Sequence, residues 1–189
     1  MKRLLAAVGA AVFFMSFPVG VFAQDKSWAD LNAEVGKLFQ QGRYVEAMPA
    51  AKDALSTAEK NFGAEAPETA LSLNNLALLN KSQKNYKEAE SLYERALKIS
   101  EKLVGPDSPD LTVTLNNLAL LYNAQGQYDK AEQYSARALS ILEKAYGADH
   151  TNVALALERY AAIKRNAGKI KEAEDLERRA KDVRQNAKA

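Results

Sequence analysis

Cysteine is absent from the 189 residues, histidine and tryptophan occur once each, and the formal net charge is only +2. Without cysteine no disulfide can staple the fold, and neither thiol chemistry nor a thiolate metal site is available. A single histidine, His150, leaves no zinc site built from His and Cys, and any Ser-His catalytic arrangement would have to use that one position. Lys2 and Arg3 account for the whole charge excess, so the chain after residue 23 is balanced. Nucleic acid or an anionic membrane as main partner would require a concentrated surplus of Lys and Arg, which is missing. The basic end, with Arg178, Arg179, Lys181, Arg184 and Lys188, is the exception. Glu174, Asp175 and Glu177 stand four residues before Arg178, Arg179 and Lys181, which reads as pairing along a solvated terminal helix. Strand patterns and a glycine-rich phosphate loop are also lacking, and paired carboxylates such as Glu88 and Glu90 lie on a helical face among basic neighbours. These absences point to a protein that is not an enzyme, with no cofactor and no metal.

What the chain has is a period. Tyr44, Tyr86, Tyr128 and Ile170 follow one another at steps of 42 residues, as do Ala47, Ala89, Ala131 and Ala173, and Ala54, Ala96, Ala138 and Ala180. Gly63, Gly105 and Gly147 mark the joins at the same step. Registers that stay in phase over three steps define a supersecondary unit stacked on copies of itself, a solenoid.

The start stands apart. Met1-Lys2-Arg3 is basic, Leu4 to Phe17 is apolar, Pro18 and Gly20 break the run, and Val21-Phe22-Ala23 ends on a small residue. This reads as a signal peptide over residues 1–23, cut after Ala23, with an uncleaved anchor as the other reading. A spanning helix needs about 20 unbroken apolar residues, which favours cleavage and no stable membrane insertion afterwards. The expected location is the periplasm, or the exterior if the source has one membrane.

Within each unit apolar residues recur every three to four positions, and two breakers divide it into a helix pair. In the third copy Leu115, Leu118, Ala119 and Tyr122 form one stripe, Gln125-Gly126-Gln127 turns, and Tyr128, Ala131, Ala138, Leu139 and Leu142 form the next. Gly42, Gly126 and Gly168 fall where the chain leaves the first helix in left-handed geometry. Lys84 holds that place in the second copy, predicting a local strain of roughly 1 kcal/mol or a different turn using Asn85. Ser108 before Pro109 reads as a helix N-cap, and His150 as a loop or cap residue. Pro49 is expected near the first turn of its helix with a mild kink, and Trp28 is expected to cover the open end of the stack. Glu34, Glu177 and Lys164 stand where other copies have Leu76, Tyr93 and Tyr122, and read as charges finishing the two ends. Charged ends favour a monomer.

The segments Leu73-Asn74-Asn75-Leu76-Ala77, Tyr86-Lys87-Glu88-Ala89-Glu90, Tyr93-Glu94-Arg95-Ala96-Leu97-Lys98-Ile99 and Glu101-Lys102-Leu103-Val104-Gly105-Pro106-Asp107 resemble the tetratricopeptide repeat in its 42-residue, kinesin light chain-like form. The resemblance covers about Leu31 to Ala180. It implies an all-α, right-handed α-solenoid of four helix-turn-helix repeats and eight helices, at about 31–69, 70–111, 112–153 and 154–185, after a lead-in at 24–30 and before a tail at 186–189. It also implies a concave groove, lined by the first helices, that receives a peptide or helix of a partner protein.

In kinesin-type repeats an asparagine of the first helix reaches the backbone of a bound peptide, and Asn75 and Asn117 match that place, with Arg159 in the fourth repeat and Ala33 in the first. A side-chain amide donates and accepts, which suits an extended peptide. The other reading is that these asparagines bond to neighbouring helices and stiffen the stack. Asn74, Asn116, Lys81, Asn123 and Arg165 would complete the polar lining, with Leu78 and Leu120 as apolar floor. The two-carboxylate clamp of chaperone-binding relatives is matched only at Asn117 and Arg159. Asn74 and Leu155 stand where that clamp has lysine, and Leu78 where it has asparagine. The expectation is an exported interaction module, and its rival is a self-associating scaffold or spacer with no peptide ligand.

Overall fold

The computed structural model describes residues 26–186, so the leader and the last three residues of the tail lie outside the described residues. Eight α-helices follow in order: α1 Trp28–Gln40, α2 Tyr44–Phe62, α3 Pro67–Ser82, α4 Tyr86–Val104, α5 Thr112–Ala124, α6 Tyr128–Tyr146, α7 Thr151–Asn166 and α8 Ile170–Asn186. A 3-10 turn at Pro109–Leu111 precedes α5, and no strand occurs among the described residues. Each helix packs on the next, which makes a right-handed solenoid of four hairpins, α1/α2 to α7/α8.

Local chemistry sets where the helices begin. Ser27 and Asp30 form a reciprocal capping box at α1, so that helix starts inside the expected lead-in. Pro67 opens α3 at a position where a missing N–H costs nothing. Ser108 Oγ accepts the Asp110 N–H at 3.3 Å, and His150 Nδ1 accepts the Asn152 N–H at 3.1 Å to cap α7. The hairpin turn is uniform. Gly126 has φ 72° and Lys84 has φ 63°, and both turns return an N–H to the carbonyl five residues back, Gln127 to Tyr122 and Asn85 to Asn80, at 2.9 Å. Lys84 therefore keeps the turn that glycine makes elsewhere and bears the left-handed strain itself.

The periodic alanines are the tightest part of the core. Ala47, Ala89, Ala131 and Ala173 are 0% exposed, and Ala54, Ala96, Ala138 and Ala180 at most 1%. Having no side chain beyond Cβ, they let helix backbones approach, while Leu73, Leu115, Leu157, Tyr93 and Tyr122 fill the space around them. Tyr122 stacks on Tyr134 with centroids 5.5 Å apart and donates its hydroxyl to Glu90 at 2.7 Å, so one side chain links α5, α6 and α4.

Four expectations need correction. Lys164 does not mark a free end: it is buried, with Nζ 2.6 Å from Glu132 on α6 and 2.7 Å from Glu172 on α8, and Lys169 closes on the other Glu132 oxygen at 2.6 Å. The pair Lys164–Glu132 spans 32 residues, as does Tyr122–Glu90, so the lysine replaces a tyrosine at the same inter-repeat joint. The basic end is not organised by pairs four apart along α8. Arg178 pairs with Asp175, whereas Arg179 reaches Glu143, Arg184 reaches Glu158, and Glu177 takes Arg165, all on other helices. Trp28 is turned toward the second repeat, edge-on to Phe62 at 5.7 Å with Nε1 donating to Ser72 Oγ at 2.8 Å, which gives the indole N–H a partner while its ring packs against the core. Pro49 sits in the second turn of α2, where it denies the Val45 carbonyl its helical partner. Val45 is exposed, so the loss falls at the surface of the stack.

The outer helices are stitched by charges that repeat with the same step. Glu59–Arg95, Glu101–Arg137 and Glu143–Arg179 form one ladder; Glu65–Lys102 and Asp107–Lys144, continued by Asn186 on Asp149, form a second. Exposed pairs of this kind contribute about 0–1 kcal/mol each, so they fix register more than they add stability.

The Lys164 joint is different because its central pair is mostly covered, with the Lys164 and Glu132 side chains 10% and 13% exposed. Desolvation pushes the Glu132 carboxyl pKa up, but the ammonium groups of Lys164 and Lys169 outweigh it and hold the group below its ordinary value of 4.5. The stabilisation from the Glu132 charge is thus complete at neutral pH and declines as pH falls below 4.5, through the lower folded-state value. Lys164→Met should cost about 3 kcal/mol in urea denaturation at pH 7, because a buried carboxylate loses its main partner. The difference from wild type should narrow in acid, and Glu132→Gln added to Lys164→Met should recover part of the loss.

Candidate functional site: the concave groove

The first helices of successive hairpins, α3, α5 and α7, lie side by side and form the inner surface. Their buried stripes, with Leu73, Leu115 and Leu157, face the outer helices. Two residues before each stands an aliphatic side chain left in the open: Leu71, Val113 and Leu155, exposed by 48%, 65% and 40%. These three are again 42 residues apart, so they make one line across three helices. The sequence reading passed over Leu71 and Val113 and used Leu155 only as a mismatch to a clamp lysine. The period that gave the alanines was the signal that could have found them.

Between α5 and α7 this surface deepens into a hollow of about 380 Å³ lined by Val113, Asn116, Asn117, Leu120, Asn152, Leu155 and Arg159, with Leu142 of α6 beneath. Four of the expected site residues, Asn116, Asn117, Leu120 and Arg159, meet there. The others are placed differently. Asn75 donates its amide to Asn32 Oδ1 at 2.9 Å, joining α3 to α1, and Asn123 accepts from Asn166 at 3.0 Å, joining α5 to α7. Asn74 donates to the Ala70 carbonyl at 3.1 Å and its Oδ1 is buried without a partner. Leu78 packs half-buried against the core, Lys81 is half-buried with desolvation holding its ammonium below the ordinary pKa, and Arg165 is held by Glu177 at 2.8 Å. Stack-stiffening thus describes Asn75 and Asn123, whereas Asn116 and Asn117 open onto the hollow.

Electrostatics single out Arg159. Arg43, Arg95, Arg137, Arg165, Arg178, Arg179 and Arg184 each hold a carboxylate, and Arg159 is the one arginine among the described residues that does not. Nothing acidic lines the hollow it borders. A guanidinium in this setting can take a carboxylate in a forked contact, the amides beside it can serve a peptide backbone, and the aliphatic line can take apolar side chains. A larger hollow of about 760 Å³ lies along α1 and α2 of the first hairpin, lined mainly by charged and hydroxyl side chains including Lys26, Glu34, Asp53, Ser56 and Lys60, and shares no residue with the one between α5 and α7. Among the described residues no group of His, Asp and Glu could hold a metal ion, and no helix is long and apolar enough to cross a membrane.

A stacked-hairpin solenoid with an open inner surface is the architecture of a protein–protein interaction scaffold. The family model of the tetratricopeptide repeat matches residues 38–102 and 110–186, and the chain belongs to that family. Among solved structures it is similar to BtubC (BKLC) of P. vanneervenii, with 25% identity, a TM-score of 0.78, and coverage of 86% of this chain and 65% of that one. This chain therefore spans less than two thirds of BtubC. A kinesin light chain-type protein of P. anserina with nearly identical TPR-like repeats has 19% identity and a TM-score of 0.77, over 89% of this chain and 80% of that one. The apo form of RapI has 16% identity and a TM-score of 0.72, over 89% and 60%. The latter two likenesses concern the fold. No curated protein matches the chain in a sequence comparison.

The two roles of the groove polar residues separate in a stability measurement. Asn75→Ala should lower stability by about 1 kcal/mol, since Asn32 loses its donor between helices. Arg159→Ala, on the open surface, should stay within about 0.5 kcal/mol of wild type in the same urea titration.

Proposed function

We propose that the chain is an exported, non-enzymatic interaction module that binds a peptide or helix of another envelope protein in its concave groove. The carrying observation is the conjunction in one hollow of an arginine with no internal carboxylate and the exposed aliphatic residues Val113 and Leu155, which Leu71 repeats on the first helix of the hairpin before. Apolar side chains grouped in water mark interaction surfaces, and every other arginine among the described residues already holds a carboxylate. Export is supported by the basic start, the apolar run and the small residue at Ala23. The site of action is then the periplasm, or the outside of a cell with one membrane. The outer ladders pair their arginines within the fold, whereas no acid lines the hollow beside Arg159. The scaffold reading, in which the array associates with itself and the groove stays empty, predicts capture that ignores groove substitutions.

Affinity capture from a native envelope extract tests this, with residues 24–189 as bait beside a version carrying Asn117→Ala, Leu155→Asp and Arg159→Ala. A partner recovered by the first bait should be lost or depleted at least about tenfold with the second. Equal recovery by both would remove the groove as the binding site.

A further inference from the structure

We infer that the hollow on the first hairpin is one half of a joint between two copies of this chain, the other half being the face of α8 that carries Lys181 and Gln185 in a second copy. Within the chain, each later hairpin covers a leucine of the earlier one. Leu97 and Leu139 are 7% exposed, and Leu139 shares a buried cluster with Val153, Leu157 and Val183 of the fourth hairpin. Counted back by whole repeats those three positions are Ser27, Leu31 and Thr57, and all three line the hollow of about 760 Å³. The hollow is therefore the counterpart of the place that Leu139 fills. The next member of the series Leu55, Leu97 and Leu139 is Lys181, which is exposed on α8.

Changes in the same register fit the hollow to that lysine. The valines Val153 and Val183 give way to the hydroxyls of Ser27 and Thr57, and Asp53, on the same wall, stands where later hairpins have Arg95, Arg137 and Arg179. The outer ladder shows what meets this position: those arginines take Glu59, Glu101 and Glu143 of the hairpin before. The next member of the acid series is Gln185, one helical turn beyond Lys181. Internal joints thus set an acid of the earlier hairpin against a base of the later one, and the joint between copies reverses the sense, with Lys181 and Gln185 facing Asp53. Among the described residues neither Lys181 nor Asp53 is in an ion pair. A further contact follows the Glu132–Lys169 pair, whose counterparts on the two end faces are Glu174 and Arg43. The reversal also directs assembly, because Asp53 set against Glu59, Glu101 or Glu143 repels, so a copy adds only at the end of an array. The monomer expected from charged ends counted charges without their register, in which they are opposite. Copies joined head to tail form an open chain or a ring, and the joint uses no residue of the groove hollow.

Sedimentation equilibrium of residues 24–189, which include every described helix, provides the test over roughly 1 μM to 1 mM. The average mass should rise above that of one chain as concentration increases, and rise less in high salt. Asp53→Lys and Lys181→Asp, both at exposed positions, should each weaken association at least about tenfold because like charges then meet, with the circular dichroism spectrum unchanged. An equimolar mixture of the two variants should associate as the wild type does, since every joint between unlike copies again sets a base against an acid. Leu155→Asp, in the groove, should leave association as it is. A wild-type chain that stays monomeric over the whole range would overturn the inference, as would variants that associate as well as wild type or a mixture as weak as its components. Loss of association in Leu155→Asp alone would also overturn it and place the self-contact in the groove.

Discussion

Backbone approach at eight buried alanines sets everything else in this molecule. Ala89 and Ala96 on α4, and their equivalents on α2, α6 and α8, leave no room for a larger side chain and so admit one spacing and one rotation between helices. Because the same alanines return every 42 residues, the same geometry is imposed at every joint. Side chains that touch nothing in common then line up across helices. Glu59, Glu101 and Glu143 come opposite Arg95, Arg137 and Arg179 on the outside, and Leu71, Val113 and Leu155 fall into file on the inside.

The two faces divide the work by chemistry. On the outer face Glu59, Glu101 and Glu143 each find an arginine on the next hairpin, so these charges are consumed within the fold. The inner face keeps its aliphatic residues in water and leaves Arg159 without a carboxylate. The charge cluster centred on the covered pair Lys164 and Glu132, with Lys169 and the exposed Glu172 around it, lies between the third and fourth hairpins. Its contacts hold α6 against α7 and α8, which gives the arginine on α7 a fixed support.

Most of the architecture was legible because period and residue size act locally. Alanines in phase, left-handed turn positions and caps depend on neighbours a few residues away, and Tyr44, Tyr86, Tyr128 and Ile170 each open a helix where expected. Pairing across hairpins was less legible. Arg179 has Asp175 four residues before it, yet binds Glu143, since packing brings α6 closer than rotamers along α8 can. Lys164 read as an end charge because its acid, Glu132, is visible only when Tyr122–Glu90 is known to be a contact that the next copy repeats. In the groove, type alone could not separate Asn75, tied to Asn32, from Asn117, which borders the hollow. Asn74 stands 42 residues after Asn32, yet its amide turns to the Ala70 carbonyl and does not pair with Asn117, a choice that residue type and register do not reveal.

The account stands on the claim that alanine spacing fixes the register of the stack. Ala96→Leu tests it most directly, since Ala96 is 0% exposed on α4 and a leucine there must force the helices apart. Equilibrium urea denaturation should show a loss of about 1–3 kcal/mol. A change within about 0.5 kcal/mol would mean that the seam tolerates bulk and that something other than close backbone approach sets the register.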